Sequence, residues 1–219
     1  MAGVGVRERL EEYFAVAGID ADAPWLRPPA SRAAVEATVS AVGTDLPDDL
    51  VELLTFHNGR QLLNGYDWLP CTQSPEYGLA EQTTFIRFLI EGELTDTGAL
   101  ANVPGPGPNV LQVGYVSGMC GYLYDVDDHV GRIHMLDTSA RPPIIPLAVS
   151  LTHLIDVHVA LARAGHILVD PEFGPDWRPP SAEIGALLLE HGMPDVQIDV
   201  QSWVMRPESQ SFEIFDPSS

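Results

Sequence analysis

Seven histidines, two cysteines and 31 carboxylates are the side chains in this 219-residue chain that could carry chemistry. Their spacing points away from it. A zinc site needs four ligands, or three and an open position, at workable separations. The chain has no His-x-x-x-His or His-Glu-x-x-His frame. His153 and His158 are five apart, so a helix carries them on different faces, and Cys71 and Cys120 lack a nearby ligand partner. The run from Asp125 to Gly131 faintly resembles a calcium loop, but it lacks the glycine at position six and the bidentate glutamate at position twelve. It reads instead as a solvated turn. Gly105 and Gly107 are interleaved with Pro104, Pro106 and Pro108, which remove the N–H donors a phosphate cradle requires. No Gly-x-Ser-x-Gly elbow occurs. Ser117 and Gly118 lie near Cys120 but have no assignable His–acid partner. Carboxylates are so numerous that no pair stands out as an acid/base dyad. The expectation is a non-enzymatic protein with no catalytic residue, no cofactor and no metal.

Charge is the strongest global feature. The 31 acidic residues face 11 basic ones, all arginine, for a net charge of −20. Nucleic-acid binding needs a basic footprint, and docking on anionic membranes needs basic segments, so both are disfavoured. Such a charge favours solubility and would steer a basic protein toward the surface. Hydrophobic residues make up 45% of the chain, a globular composition. No apolar run reaches the roughly 20 residues of a membrane span. The N-terminus lacks the uninterrupted apolar core of a signal peptide. With only two cysteines, this points to a cytoplasmic location.

Helices are predicted first. Residues 4–17 place Leu10, Tyr13, Phe14 and Ala17 on one face, with Gly18 closing the helix. A proline-stiffened link, residues 20–30, follows, in which Trp25 is expected to anchor on the core. Ser31 can cap a second helix whose inward side is Val35, Thr38, Val39 and Val42. Residues 46–59 then write a third helix in one line. Asp45 can cap it, Pro47 suits its first turn, and Asp48 and Asp49 suit the positive end of its dipole. Leu46, Leu50, Leu53, Leu54 and His57 share a face. Asn58-Gly59 can supply the left-handed exit, and His57 suits the negative end of the dipole.

After a polar loop, residues 66–70 read as a short strand carrying Trp68. Residues 78–90 read as a helix making apolar contacts through Phe85, Phe88 and Leu89, and 103–108 as a loop. From Asn109 the period becomes that of a strand, with Val110, Gln112, Gly114 and Val116 on one side and Leu111, Val113 and Tyr115 on the other. A hairpin follows, with arms 121–126 and 132–137, and short turns between consecutive strands imply antiparallel pairing. Pro142-Pro143 ends the ladder. Residues 148–164 form an amphipathic helix with Leu151, Leu154, Ile155, His158 and Leu161 or Ala162 inward. The tail offers a strand at 167–169, a helix capped by Ser181 with Ile184, Leu187 and Leu188 apolar, and a strand at 198–204.

The helix Leu46-Pro47-x-x-Leu50-x-x-Leu53-Leu54-x-x-His57-Asn58-Gly59 is followed by the hairpin with Tyr122-Leu-Tyr-Asp125 and Gly131-Arg-Ile-His-Met-Leu-Asp137. Then comes Pro146-Leu-Ala-Val-Ser-Leu-Thr-His-Leu154 at a helix start. This order resembles the SMI1/KNR4 family of the SUKH superfamily, over residues 31–164. Leu151 stands where that family usually has phenylalanine. The resemblance implies an α+β fold: N-terminal helices packed on a central, mostly antiparallel sheet. Residues 1–30 would add a helix and linker, and 165–219 a C-terminal extension with a further helix and strand on the same domain. It also implies a bacterial immunity protein that neutralises a polymorphic toxin by direct binding, with no shared catalytic residues. An acidic protein suits a basic toxin domain such as a nuclease. The candidate partner-binding residues are the hairpin acids Asp125, Asp127 and Asp128. Two other readings remain open: a regulatory scaffold with a cellular protein partner, and an enzyme with an unrecognised site.

Overall fold

The helical half and the sheet are built by different periodicities, and the core lies where they meet. A computed structural model describes residues 5–59, 71–72, 78–90, 109–117, 120–128, 130–137, 144–171, 174–177 and 182–192. The predicted strands at 66–70 and 198–204, the loop at 103–108, and the residues Trp68 and Ser181 lie outside them.

Helix α1 (Val6–Ala17) buries Val6, Leu10, Tyr13 and Phe14 and ends at Gly18. Helix α2 (Arg32–Val42) starts on Ser31, whose hydroxyl accepts from the Ala34 N–H, and buries Val35, Thr38 and Val42. Helix α3 (Asp48–Phe56) buries Leu50, Leu53 and Leu54, each at 0% exposure. Full burial of a leucine is worth about 2 kcal/mol, so this helix is held by its face and not by its length of nine residues. Its start corrects the expected Asp45 cap. Pro47 occupies the N-cap position and no side chain bonds there, while Asp49 accepts from the Leu50 N–H inside the first turn. A proline at the cap supplies a fixed φ and needs no partner for a donor it lacks.

Helix α4 (Leu79–Leu89) corrects the expected apolar contacts. Phe85 and Phe88 are exposed, at 44% and 66%, whereas Leu79, Thr83 and Ile86 are buried. The burying stripe therefore runs at i, i+4 and i+7 from Leu79. The two phenylalanines fall on the outer side of that stripe.

Four strands form an antiparallel sheet in the order β1 (Val110–Ser117), β2 (Cys120–Asp125), β3 (Ile133–Asp137) and β4 (Ile144–Ala148). Gln112 pairs with Leu123, Leu123 with His134, and His134 with Pro146, which sets one register across all four. Strand β4 was not expected. Pro146 in its middle speaks against a ladder position, yet an edge strand tolerates proline. One face of the sheet presents Leu111, Val113, Tyr122, Tyr124, Ile133 and Met135 to the large core that holds α1, α2, α3 and helix α5 (Leu151–Arg163). The other presents Val110, Leu123, Leu136 and Ile144, where Ile86 of α4 packs.

Helix α5 begins on Ser150, which accepts from the His153 N–H, and buries Leu151, Leu154, Ile155, His158 and Leu161. It lies along α1: the Tyr13 ring meets His158 edge-on at 6.0 Å, and Arg9 Nε reaches Asp156 at 3.1 Å. A separate hairpin, β5 (Ile167–Asp170) with β6 (Gly174–Trp177), follows. Trp25 packs so closely on Gly174 that a Cβ there would meet the indole at 2.8 Å, which seats the 20–30 link on the second hairpin. Helix α6 (Ala182–Glu190) buries Ile184 and Leu188 in the same large core. His153 ties it down, accepting from the Val149 N–H through Nδ1 and donating from Nε2 to the His191 carbonyl. The result is an α+β architecture in which α1 and α6 share a core with the region between them.

Candidate functional site

The three hairpin acids stand at the turn between β2 and β3, and each has a local task. Asp125 is buried, at 8% exposure. Its Oδ1 accepts from the Asp127 and Asp128 N–H groups, which folds the turn back on itself. Asp128 takes the Val130 N–H and pairs with Arg132 at 3.1 Å. Asp127 is exposed and accepts from the Asn109 side-chain amide at 2.9 Å, which clamps the start of β1 to the turn. Gly131 closes the turn with φ +69°, and a Cβ there would lie 2.0 Å from the Tyr124 hydroxyl oxygen. Asp127 is therefore the acid of the three that faces solvent, while Asp125 works inward.

Behind the turn, His134 is buried with neither ring nitrogen hydrogen-bonded among the described residues. Burial pushes its pKa down, and Asp125, whose Oδ2 lies 3.9 Å from Nε2, pulls the other way. Burial is the larger cause, so the ring is neutral at pH 7 and the contact is not an ion pair there.

A second site lies on the helical half, where the 20–30 link crosses the end of α3. The link is hung on α3 by two backbone bonds, Arg27 N–H to the Gly59 carbonyl at 3.0 Å and Ala30 N–H to the Leu54 carbonyl at 2.9 Å. Between them opens a cleft of about 440 Å³. Phe14, Leu26, Pro28, Pro29 and Phe56 make its apolar walls. Asp22, Arg27 and His57 are its polar lining.

His57 is the residue that shapes this corner. It is 3% exposed and leaves the helix in an extended conformation, φ −153°. Its Nδ1 accepts the Gly59 N–H at 2.9 Å, a role only an unprotonated nitrogen can fill. Its ring meets Phe14 edge-on at 5.4 Å. The expected charge–dipole role is thus replaced by an acceptor role. The left-handed residue is Gly59, φ +74°, beyond the helix end. Asn58 faces the other way and accepts from the N–H and hydroxyl of Thr72, at 2.8 and 3.1 Å.

No family model matches this chain, and no curated protein is significantly similar to it.

Among the described residues, no three His, Cys, Asp or Glu side chains come together to hold a metal ion, and no helix is long and apolar enough to cross a membrane. The cleft offers apolar area with one acid and one base at its edge, which suits binding of a side chain or small ligand. Sequence reasoning missed it because it is assembled from three separate segments. One signal was available: Phe56 is a large apolar residue off the Leu50–Leu53–Leu54 stripe, and it packs only partly buried on the edge of the core beside Phe14.

Proposed function

We propose that this chain is a non-enzymatic, cytoplasmic binding protein that neutralises a basic protein partner by direct contact, in the manner of an immunity protein of SMI1/KNR4 and SUKH type. The carrying observation is the uncompensated negative charge. Arg7, Arg9, Arg32, Arg132 and Arg163 are each ion-paired to an acid of the chain itself. A net −20 remains. Exposed carboxylates such as Glu8, Asp20, Asp45, Asp48, Asp127 and Glu183 belong to different segments, so the negative surface is not confined to one of them. Such a field raises the encounter rate with cations, and the effect falls with ionic strength. A basic nuclease-like toxin domain is the partner this reading favours. The order of elements from α3 through the β2–β3 hairpin to α5 lends the family reading its support.

The test is capture by the immobilised chain from cells of its own source, followed by co-production of the captured protein with and without this chain. The expected result is a basic protein whose toxicity the chain suppresses. Recovery of only neutral or acidic proteins, or no suppression, would sink the proposal.

A further inference from the structure

We propose that the turn between β2 and β3 is a proton-responsive latch: when the His134 ring takes up a proton, it draws the Asp125 carboxylate off the Asp127 and Asp128 amides and frees the turn that presents Asp127. This goes beyond the reading above and does not depend on it, because it concerns the chain alone.

The geometry of one shared carboxylate carries the inference. The His134 and Asp125 side chains are 5% and 11% exposed, and Nε2 lies 3.9 Å from Oδ2. That is too long for a hydrogen bond. Neither ring nitrogen of His134 has a hydrogen-bond partner, so no other acceptor competes for a proton added there. A pair with both members charged closes to about 2.7–2.9 Å, so the two side chains must approach by roughly 1 Å. Their backbones are held. The Asp125 N–H donates to the Arg132 carbonyl at 2.9 Å, and His134 sits in the ladder opposite Leu123. The ring has a strand on each side, with Leu123 on β2 and Pro146 on β4. Asp125 is the member that yields. Its Oδ1 takes the Asp127 and Asp128 N–H groups at 3.1 and 3.3 Å, the long end of the normal range. Moving Oδ2 toward the ring lengthens both. Asp127 in turn holds the Asn109 side chain, so opening the turn also loosens the start of β1.

The charges that bear on His134 all belong to the turn. Asp125 and Asp128 favour the proton, and Arg132, itself paired to Asp128 at 3.1 Å, opposes it. Among the described residues, the side chains that α4 lays on this face of the sheet, Ile86 and Ile90, are apolar. Burial outweighs the acids and lowers the His134 pKa from 6.5. The latch is therefore closed at neutral pH and opens below the ordinary histidine range.

The experiment is an NMR titration of the isotope-labelled full chain from about pH 7.5 to 4.5, a window that spans the ordinary histidine value. The His134 Cε1–H signal should titrate with a midpoint below 6.5. The Asp127 and Asp128 amides should move upfield, as hydrogen bonds to a carboxylate are lost, through the same midpoint. Asp125→Asn keeps an acceptor for the turn but no charge for the ring to draw. In that variant both amides should stay fixed while His134 titrates, whereas a through-space effect of the ring charge would still move them. His134→Gln should also hold them fixed, and if it fails to fold, Asp125→Asn decides. Amide midpoints that differ from that of His134 would overturn the inference. So would amides that follow His134 in Asp125→Asn, a single phase common to all three chains, or global unfolding ahead of the His134 titration. No partner enters the measurement, so its failure leaves the functional reading untouched, and failure to capture a basic protein leaves the latch untouched.

Discussion

Tyr124 donates its hydroxyl hydrogen to Asp49 Oδ1 at 3.0 Å, joining the second strand of the sheet to the first turn of α3 across 75 residues. Burial pushes the Asp49 carboxyl above the usual carboxylate range, and the hydrogen bond from Tyr124 pulls it part of the way back. Burial, then the charge of Asp49, holds the Tyr124 hydroxyl far above its ordinary value, so it stays a donor throughout the working pH range. Tyr124→Phe removes the donor and leaves a half-buried carboxylate short of a partner. The expected loss is about 1–2 kcal/mol in chemical denaturation. Asp49→Asn keeps an acceptor and drops the charge, and should stay within about 1 kcal/mol of the parent. Equal losses from both would show that the charge itself matters.

Gly131, in the turn before β3, combines a left-handed backbone with the closest approach a Cβ would make at any of the described glycines, to the same tyrosine hydroxyl. Gly131→Ala therefore adds a steric clash to backbone strain of about 1–3 kcal/mol. Ring carbons of Tyr124 crowd the same Cβ, so it is the double variant Gly131→Ala with Tyr124→Ala, which removes the ring, that should recover part of the Gly131→Ala loss. Additive losses in the double-mutant cycle would mean that strain alone accounts for the cost.

His158 gives stability a pH dependence with a definite sign. It is 1% exposed between α1 and α5, and its Nδ1–H donates to the Leu154 carbonyl at 2.8 Å. Burial lowers its pKa from 6.5 to about 4. Between those values the unfolded chain binds the proton and the folded chain does not, so stability rises with pH through that window. The contribution is complete above pH 6.5, is lost as pH falls toward 4, and amounts to roughly 3 kcal/mol. Urea midpoints measured from about pH 4 to 7 should show this slope, and His158→Leu should flatten it. An unchanged slope in the variant would assign the dependence to other groups.

Two substitutions two residues apart on α4 separate its faces. Ile86 is 2% exposed and Phe88 66%. Ile86→Ala should cost about 2–4 kcal/mol, whereas Phe88→Ala should change stability by no more than about 0.5 kcal/mol, despite removing the larger side chain. Thermal or urea unfolding decides it, and a large loss at Phe88 would place that face against something.

Much of the helical half was legible from the chain because its signals are local. Ser31 with Val35 and Thr38, and Leu50 with Leu53 and Leu54, each write cap or face within a few residues. Strand alternation from Val110 was equally plain. What escaped depended on partners distant in sequence. Nothing near Phe85 and Phe88 says that Leu79 and Ile86 are buried instead, Ile86 against the sheet. Strand β4 hid behind Pro146, whose tolerance comes from its edge position. The hairpin acids looked like surface charge, but Asp125 points inward because the turn amides need an acceptor. The cleft was invisible for the same reason, since Phe14, Pro28 and Phe56 become neighbours only after the link folds onto α3.

The pairing of α1 with α5 bears on how the chain is made. Arg163 reaches back to Glu12 across 151 residues, and Tyr13 waits for His158. During synthesis at about 5–20 residues per second, the first helix spends on the order of ten seconds or more without its partner. Its apolar face is open to chaperones and to other nascent chains for that time. Completion of α5 supplies that partner, α6 then adds Ile184 and Leu188 to the same core, and a ribosome stalled before residue 151 would hold a chain whose Tyr13 still lacks His158.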